Sequence, residues 1–197
     1  MAKILGNFHL ALLIGLVLLV AAMLGLHQEA IGDRLYWAQF LRFVHVFAGL
    51  LWIGLLYYFN FVQIPTMPKV PAELKPGVSK YIAPAALFWF RWAAMATLIL
   101  GVILAWMNGY LVQALTLQKP FTAIGLGAWL GVIMWFNVWF VIWPNQKKAL
   151  GIVQVPADEK AAAARRAGMT SRINTMLSIP MLYFMVAQSH GGVGFAG

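Results

Sequence analysis

Long apolar runs broken by short polar segments organise this chain, with almost none of the alternation or one-sided amphipathicity that a water-facing helix or strand would show. A helix that crosses a bilayer needs about 20 mainly apolar residues. Five stretches meet that length: Phe8 to Leu26, Tyr36 to Gln63, Pro84 to Tyr110, Phe121 to Trp143 and Arg172 to His190. Aromatic pairs such as Tyr36 and Trp37, Tyr57 and Tyr58, and Trp139 and Trp143 fall near their ends, where amphipathic rings prefer the interface. Prolines punctuate the joins, with Pro65, Pro68, Pro71 and Pro76 after the second run and Pro144 and Pro156 after the fourth, and they predict breaks there. The pattern therefore predicts an all-α, polytopic membrane helical bundle of about five spans in a single domain over residues 1–197, with residues 144–171 as a polar connector. Within that connector PADEKAAAARRA, residues 156–167, carries Asp158 and Glu159 early and Arg165 and Arg166 late, the order the helix dipole favours, and reads as a short surface helix.

Composition sharpens this picture. The chain is 62% apolar and 10% charged, against about 25% charged in ordinary soluble domains, which excludes a soluble globular protein. Its formal net charge of +9 gathers in two loops, Ile64 to Ala83 and Asn145 to Ser171. The positive-inside rule makes those loops cytoplasmic, the N-terminus cytoplasmic and the C-terminus periplasmic. Cations beside apolar runs suit anionic lipid headgroups and give no nucleic-acid surface. The first run follows Lys3 and is expected to stay as a span, because Leu26 to Ala30 offers no small-x-small cleavage site. There are no cysteines, which removes disulfides, thiolate metal sites and covalently attached c-type haem.

Polar groups inside a bilayer are costly, so each invites a functional reason. The short list within the runs is Arg42, His45, Asn60, Gln63, Arg91, Asn137, Asn174, Gln188 and His190, and no acid falls in any run. That absence argues against carboxylate proton relays, paired-carboxylate hydrolysis and carboxylate-bound metal pairs. Arg42, His45, Gly49, Trp52 and Leu56 recur at steps of three and four and share one helical face. His45 sits roughly 13 Å along its helix from Tyr36, at about 1.5 Å per residue, and His190 closes the fifth run on the same side. Two such imidazoles could ligate one haem b, with Gly49 leaving room for a flat ring and Arg42 pairing with a propionate. The plainer alternatives are a neutral His45 bonded to a neighbouring carbonyl, Gly49 as a packing residue, Arg42 paired with Glu29 or Asp33, and His190 meeting water at a helix end. His27 is the reserve ligand. Arg91 either snorkels to lipid phosphate, meets Glu73, or forms a site for an anion such as a substrate or quinone oxygen. Gly127 and Gly131 read as a small-xxx-small packing pair, and the Trp and Phe series from Trp129 to Trp143 as packing and belt residues.

Four runs together carry a family resemblance: HVFAGLLWIGLLYYFNFVQIP from His45 to Pro65, FWFRW from Phe88 to Trp92, GLGAWLGVIMWFNVWFVIWPNQKK from Gly125 to Lys148, and RRAGMTSRINTMLSIPMLYFMVAQSH from Arg165 to His190. From Leu35 to His190 the chain resembles the membrane domain of the bacterial cytochrome-c-type (PuuD-like) urate oxidases, the urate oxidase N-terminal domain family. The H-x-x-x-G-x-x-W-x-G run at His45, Gly49, Trp52 and Gly54 is also similar to CopD-like and HemJ-like membrane proteins, where such a histidine is associated with haem. The resemblance implies a bacterial inner-membrane redox protein exchanging electrons with cytochrome c, and it adds weight to His45 and His190 as haem ligands. In that family a c-type cytochrome domain follows the membrane part. Up to Gly197 this sequence holds no C-x-x-C-H, so a separate cytochrome c partner at the outer face is expected, and the resemblance implies at most the membrane part of a urate-oxidase-like oxidoreductase. The competing expectation is a cofactor-free accessory subunit of a larger respiratory or monooxygenase membrane complex.

Overall fold

A computed structural model describes residues 6–189, and His190 lies outside the described residues. Among the described residues there are six helices and no strands: α1 Phe8–Leu26, α2 Arg34–Lys69, α3 Lys75–Met107, α4 Leu111–Leu115, α5 Thr122–Ala149 and α6 Ala157–Ser189. Four of these, α1, α2, α3 and α5, are long and apolar enough to cross a membrane.

The chain divides into two compact units, one up to Phe40 and one from Leu41. In the first, the Asn7 side chain caps α1 by accepting from the Leu10 N–H at 3.2 Å. None of the α1 residues is buried. The Trp37 indole donates to the Ile31 carbonyl at 2.8 Å and so ties the turn before α2 to its first residues.

In the second unit, buried residues recur at helical spacing on each partner: Trp52, Leu56 and Phe59 on α2, Leu87, Phe90 and Ala94 on α3, and Met134, Val138 and Ile142 on α5. Steps of three and four place each set on one stripe, and the stripes meet in one core. Phe59 and Phe90 pack edge to face at 5.7 Å between centroids.

The expected breaks occur at Pro71, between α2 and α3, and at Pro156, before α6, whereas three other prolines are accommodated within continuing helices. The Ile64 N–H bonds to the Phe59 carbonyl, the Ala83 N–H to Val78 and the Trp143 N–H to Val138, each reaching back five residues in a π-helical turn. Each of these turns is followed, one residue on, by proline: Pro65, Pro84 and Pro144. Proline has no N–H to give and its ring collides with the carbonyl four residues back, so an α-helical register cannot pass through it unstrained. A wider turn placed just before it lets the helix continue. The breaks expected at Pro65 and Pro144 are therefore replaced by helical continuation.

Two further expectations change. The predicted surface helix over 156–167 and the predicted fifth span are one 33-residue helix, α6, with Pro180 inside it and exposed. The connector is not freely solvated, because Ala163 and Ala167 are buried. Nor is the fifth stretch among the segments apolar enough to cross a membrane by composition, since Arg172, Asn174, Thr175 and Ser178 dilute it. Its polar side chains serve the interior instead, and Asn174 and Ser178 are wholly buried.

Candidate functional site

At one end of the second unit, His45 on α2 leans against α3. Its Nδ1 lies 2.9 Å from the Thr97 carbonyl oxygen. A carbonyl only accepts, so the imidazole donates from Nδ1 and its Nε2 keeps the free lone pair. Gly101 makes room for the ring: a Cβ there would lie 3.0 Å from His45 Cε1 and 3.3 Å from Nδ1. Thr97 turns its own hydroxyl back to the Ala93 carbonyl at 2.7 Å. A histidine whose Nδ1–H is fixed by a backbone carbonyl is the usual support of an Nε2 metal ligand, and it is also a complete interhelical contact in its own right. The donor chemistry at His45 therefore fits a residue that could hold a haem iron through Nε2.

The other residues of that helical face are placed differently. Gly49 faces Thr97, whose Cγ2 would lie 3.8 Å from an added Cβ, and Trp52 is buried in the core with its indole N–H meeting no acceptor among the described residues. Both hold α2 close to α3. Arg42 is half-buried and its charge bears on Tyr110. Burial pushes the Tyr110 phenol above its ordinary value, and the Arg42 cation pulls the other way. Tyr110 also stacks on Phe121 with centroids 5.0 Å apart. His27 is exposed, edge to face with Tyr36 at 5.7 Å.

At the opposite end the three π-helical turns converge on a cavity of about 60 Å³. Phe59, Gln63 and Ile64 come from the first turn and the residue after it, Ala83 follows the second, Ile142 closes the third, and α6 adds Gly168 and Ser171. Gln63, Gln146 and Ser171 give it polar walls. Beside it the Asn60 amide donates to Ser171 Oγ at 2.8 Å and to the Leu56 carbonyl at 2.9 Å. Asn60 Oδ1 and Gln63 Oε1 are buried acceptors that receive nothing among the described residues. Arg91, next in the chain to the lining residue Phe90, is 8% exposed and lies with its guanidinium carbon 3.4 Å over the Trp143 ring. Its Nε and Nη1 are buried and meet no acceptor among the described residues. It neither meets Glu73, which is exposed, nor reaches out to the surface.

Between the two ends runs a band of satisfied polar contacts. Tyr57 Oη and Ser178 Oγ are 2.9 Å apart, Asn137 donates to Asn174 Oδ1 at 2.8 Å, and Asn174 donates to the Met134 carbonyl at 2.9 Å. Ser171, Asn174 and Ser178 follow one another at steps of three and four along α6, so one face of that helix carries the whole band.

Asn60, Gln63, Arg91, Asn137 and Asn174 were all legible as polar residues inside apolar runs. Thr97, Gly101, Trp143, Gln146 and Ser171 were not. For Gly101 a signal existed, because glycine inside a helix costs about 1 kcal/mol against alanine and implies a close neighbour. No group of three or more His, Cys, Asp or Glu that could hold a metal ion occurs among the described residues.

Comparison with known proteins reaches part of the chain. Residues 118–196 match the family model described as Urate oxidase N-terminal, which supports kinship with that family over α5 and α6. No curated protein and no solved structure matches the chain. The matched stretch contains the Asn137 and Asn174 pair, Ser171 and Ser178, and His190. His45, Arg42, Gly49, Trp52 and Arg91 precede it, as do the resembling runs that begin at His45 and Phe88.

Proposed function

We propose that this chain is a membrane-embedded electron-transfer bundle of the urate oxidase N-terminal kind, with haem b ligated through His45 and electrons exchanged with a cytochrome c. The observation that carries the reading is the His45 imidazole, fixed by the Thr97 carbonyl and seated on Gly101 so that Nε2 is the nitrogen left to coordinate. When bound, the haem iron supplies the one-electron chemistry. The protein's own part is orientation and exclusion of water. Thr97 sets the tautomer, Gly101 admits the ring, and the apolar flanks of α2 and α3 lower the local dielectric around it. His190 would be a second ligand to the iron, and Arg42 would pair with a propionate.

The membrane setting rests on the four long apolar helices, with α6 as a fifth crossing whose polar side chains turn inward. The cationic segments 64–83 and 144–171 then face the cytoplasm and anionic lipid, in the inner membrane of a bacterium.

A reduced-minus-oxidised spectrum of the purified protein tests the reading. A b-type signal that disappears in His45→Ala supports it, and a shift of spin state in His190→Ala identifies the second ligand. A well-folded but colourless preparation leaves the second reading, a cofactor-free subunit of a larger respiratory or monooxygenase membrane complex. That alternative is favoured by the completeness of the His45 to Thr97 contact as simple packing.

A further inference from the structure

Ser171 on α6 keeps a hydroxyl hydrogen that no group among the described residues accepts. Its neighbours Thr170, Thr175 and Ser178 each donate back to a carbonyl of their own helix, at 3.0, 3.1 and 2.7 Å. Ser171 Oγ instead accepts from the Asn60 amide at 2.8 Å and donates to nothing among the described residues. It is 6% exposed and lines the cavity where the three π-helical turns meet. Gln146 on α5 and Gln63 on α2 line the same space. The Gln146 amide makes no hydrogen bond among the described residues, so it has both a donor and an acceptor to offer. Gln63 Oε1 is sealed within the wall, as is Asn60 Oδ1, which leaves Nε2 as the Gln63 group able to reach the space.

Size and lining decide what can answer these groups. The cavity measures about 60 Å³, and at about 10–15 Å³ of such volume per water it has room for roughly four. Its other walls, among them Phe59, Leu87, Phe90 and Ile142, are apolar, and no charged side chain lines it. An ion entering it would lose hydration with no counter-charge to meet it. An apolar occupant would leave Ser171 and Gln146 unpaired. Water accepts from the Ser171 hydroxyl and the glutamine N–H groups and donates to Gln146 Oε1. Two to four polar partners of this kind are what a buried water requires.

We propose that this cavity is a hydration site, a cluster of about four waters held by Ser171, Gln146 and Gln63 at the cation-rich end of the bundle. It is independent of the haem reading at His45. The waters fill the space where the wide turns before Pro65, Pro84 and Pro144 meet α6, and they complete hydrogen bonding that the helices leave open there. No titratable side chain lines the cavity, so the cluster solvates this junction without a protonatable side chain for a relay.

Hydroxyl-radical footprinting of the full chain in nanodiscs tests this, with the radicals made from water by a short X-ray pulse and the oxidised residues read by mass spectrometry. The comparison is Phe90, 1% exposed and lining the cavity, against Trp52, 2% exposed in the core and outside the lining. An indole reacts with hydroxyl radical at least as fast as a phenyl ring, so faster oxidation of Phe90 cannot come from intrinsic reactivity. Radicals formed from waters beside it should oxidise Phe90 faster than Trp52 by about threefold or more. Gln146→Leu combined with Ser171→Ala removes the polar partners and should at least halve that ratio. Gln118→Leu, an exposed change outside the lining, should leave it as in wild type. A folded double variant that keeps more than half of the wild-type ratio overturns the proposal. So does a wild-type ratio below about threefold, a result that stands even if the double variant does not fold.

Discussion

Asn137 and Asn174 face each other across α5 and α6, the amide of the first donating to the second at 2.8 Å, and Asn174 passes its own N–H to the Met134 carbonyl at 2.9 Å. Asn174 is 0% exposed, so neither bond has water as a substitute. Interhelical hydrogen bonds in membranes average near 0.6 kcal/mol and reach about 1.7. Asn174→Ala breaks two and strands the Asn137 amide, so a loss of about 2 kcal/mol is expected. Chemical or thermal unfolding in detergent reads it, and a variant as stable as wild type would remove this pair from the account of how α6 is held.

The glycines of α5 should form a graded series. An alanine Cβ at Gly125 would run into the backbone carbonyl of Ala114 on α4, which cannot move aside as a flexible side chain could. At Gly127 it would meet Phe184 Cβ at 3.2 Å and Met185 Cε at 3.3 Å, and at Gly131 it would meet nothing within 4 Å. Gly125→Ala is expected to cost about 3 kcal/mol, Gly127→Ala to come out near neutral as a tight contact offsets the helix-propensity gain, and Gly131→Ala to stabilise by up to about 1 kcal/mol. The same unfolding assay ranks them. Any other order would mean that α5 packs differently.

At His45 two substitutions separate ligation from packing. Glutamine can still donate to the Thr97 carbonyl but is a poor iron ligand, so His45→Gln should keep the fold and lose the b-type absorbance. Gly101→Ala should displace the imidazole, since its Cβ would lie 3.0 Å from Cε1, and shift the haem reduction potential or empty the site. Unchanged absorbance in both variants would exclude His45 as a ligand.

Tyr110 lies beyond the end of α3, where its phenol can be titrated by ultraviolet absorbance with Tyr110→Phe as the subtraction. Burial raises its folded pKa above the ordinary value near 10. A raised folded value means that its stabilising contribution is complete below the unfolded pKa and is lost as pH rises through the folded one. The chain should therefore weaken only in the alkaline range above about 10 on this account. Arg42→Gln should push the phenol higher still, because it removes the cation that favours phenolate. A downward movement in that variant would show that the two groups do not interact.

The absence of cysteine allows single-cysteine mapping of orientation. An exposed probe at Ala162→Cys should react with a membrane-impermeant maleimide only from the cytoplasmic face, and one at Gln118→Cys only from the periplasmic face. Labelling of both from one side would overturn the proposed topology.

Run length and hydropathy, read from the sequence alone, determined the helical class, the bounds of α1 and the approximate position of α2, α3 and α5, because twenty apolar residues in a row leave few structures other than a helix. They also singled out Asn60, Arg91, Asn137 and Asn174, since a polar group in such a run must find an internal partner. Which partner it finds was a matter for tertiary structure. That Arg91 meets Trp143 rather than Glu73, that His45 meets Thr97 over Gly101, and that Gly127 but not Gly131 touches α6 all depend on how the helices rotate against one another. The register of hydrogen bonding before Pro65, Pro84 and Pro144 decides that rotation in part. A change from four to five residues per bond turns every later side chain on the helix, and periodicity counted along a sequence assumes that no such change occurs.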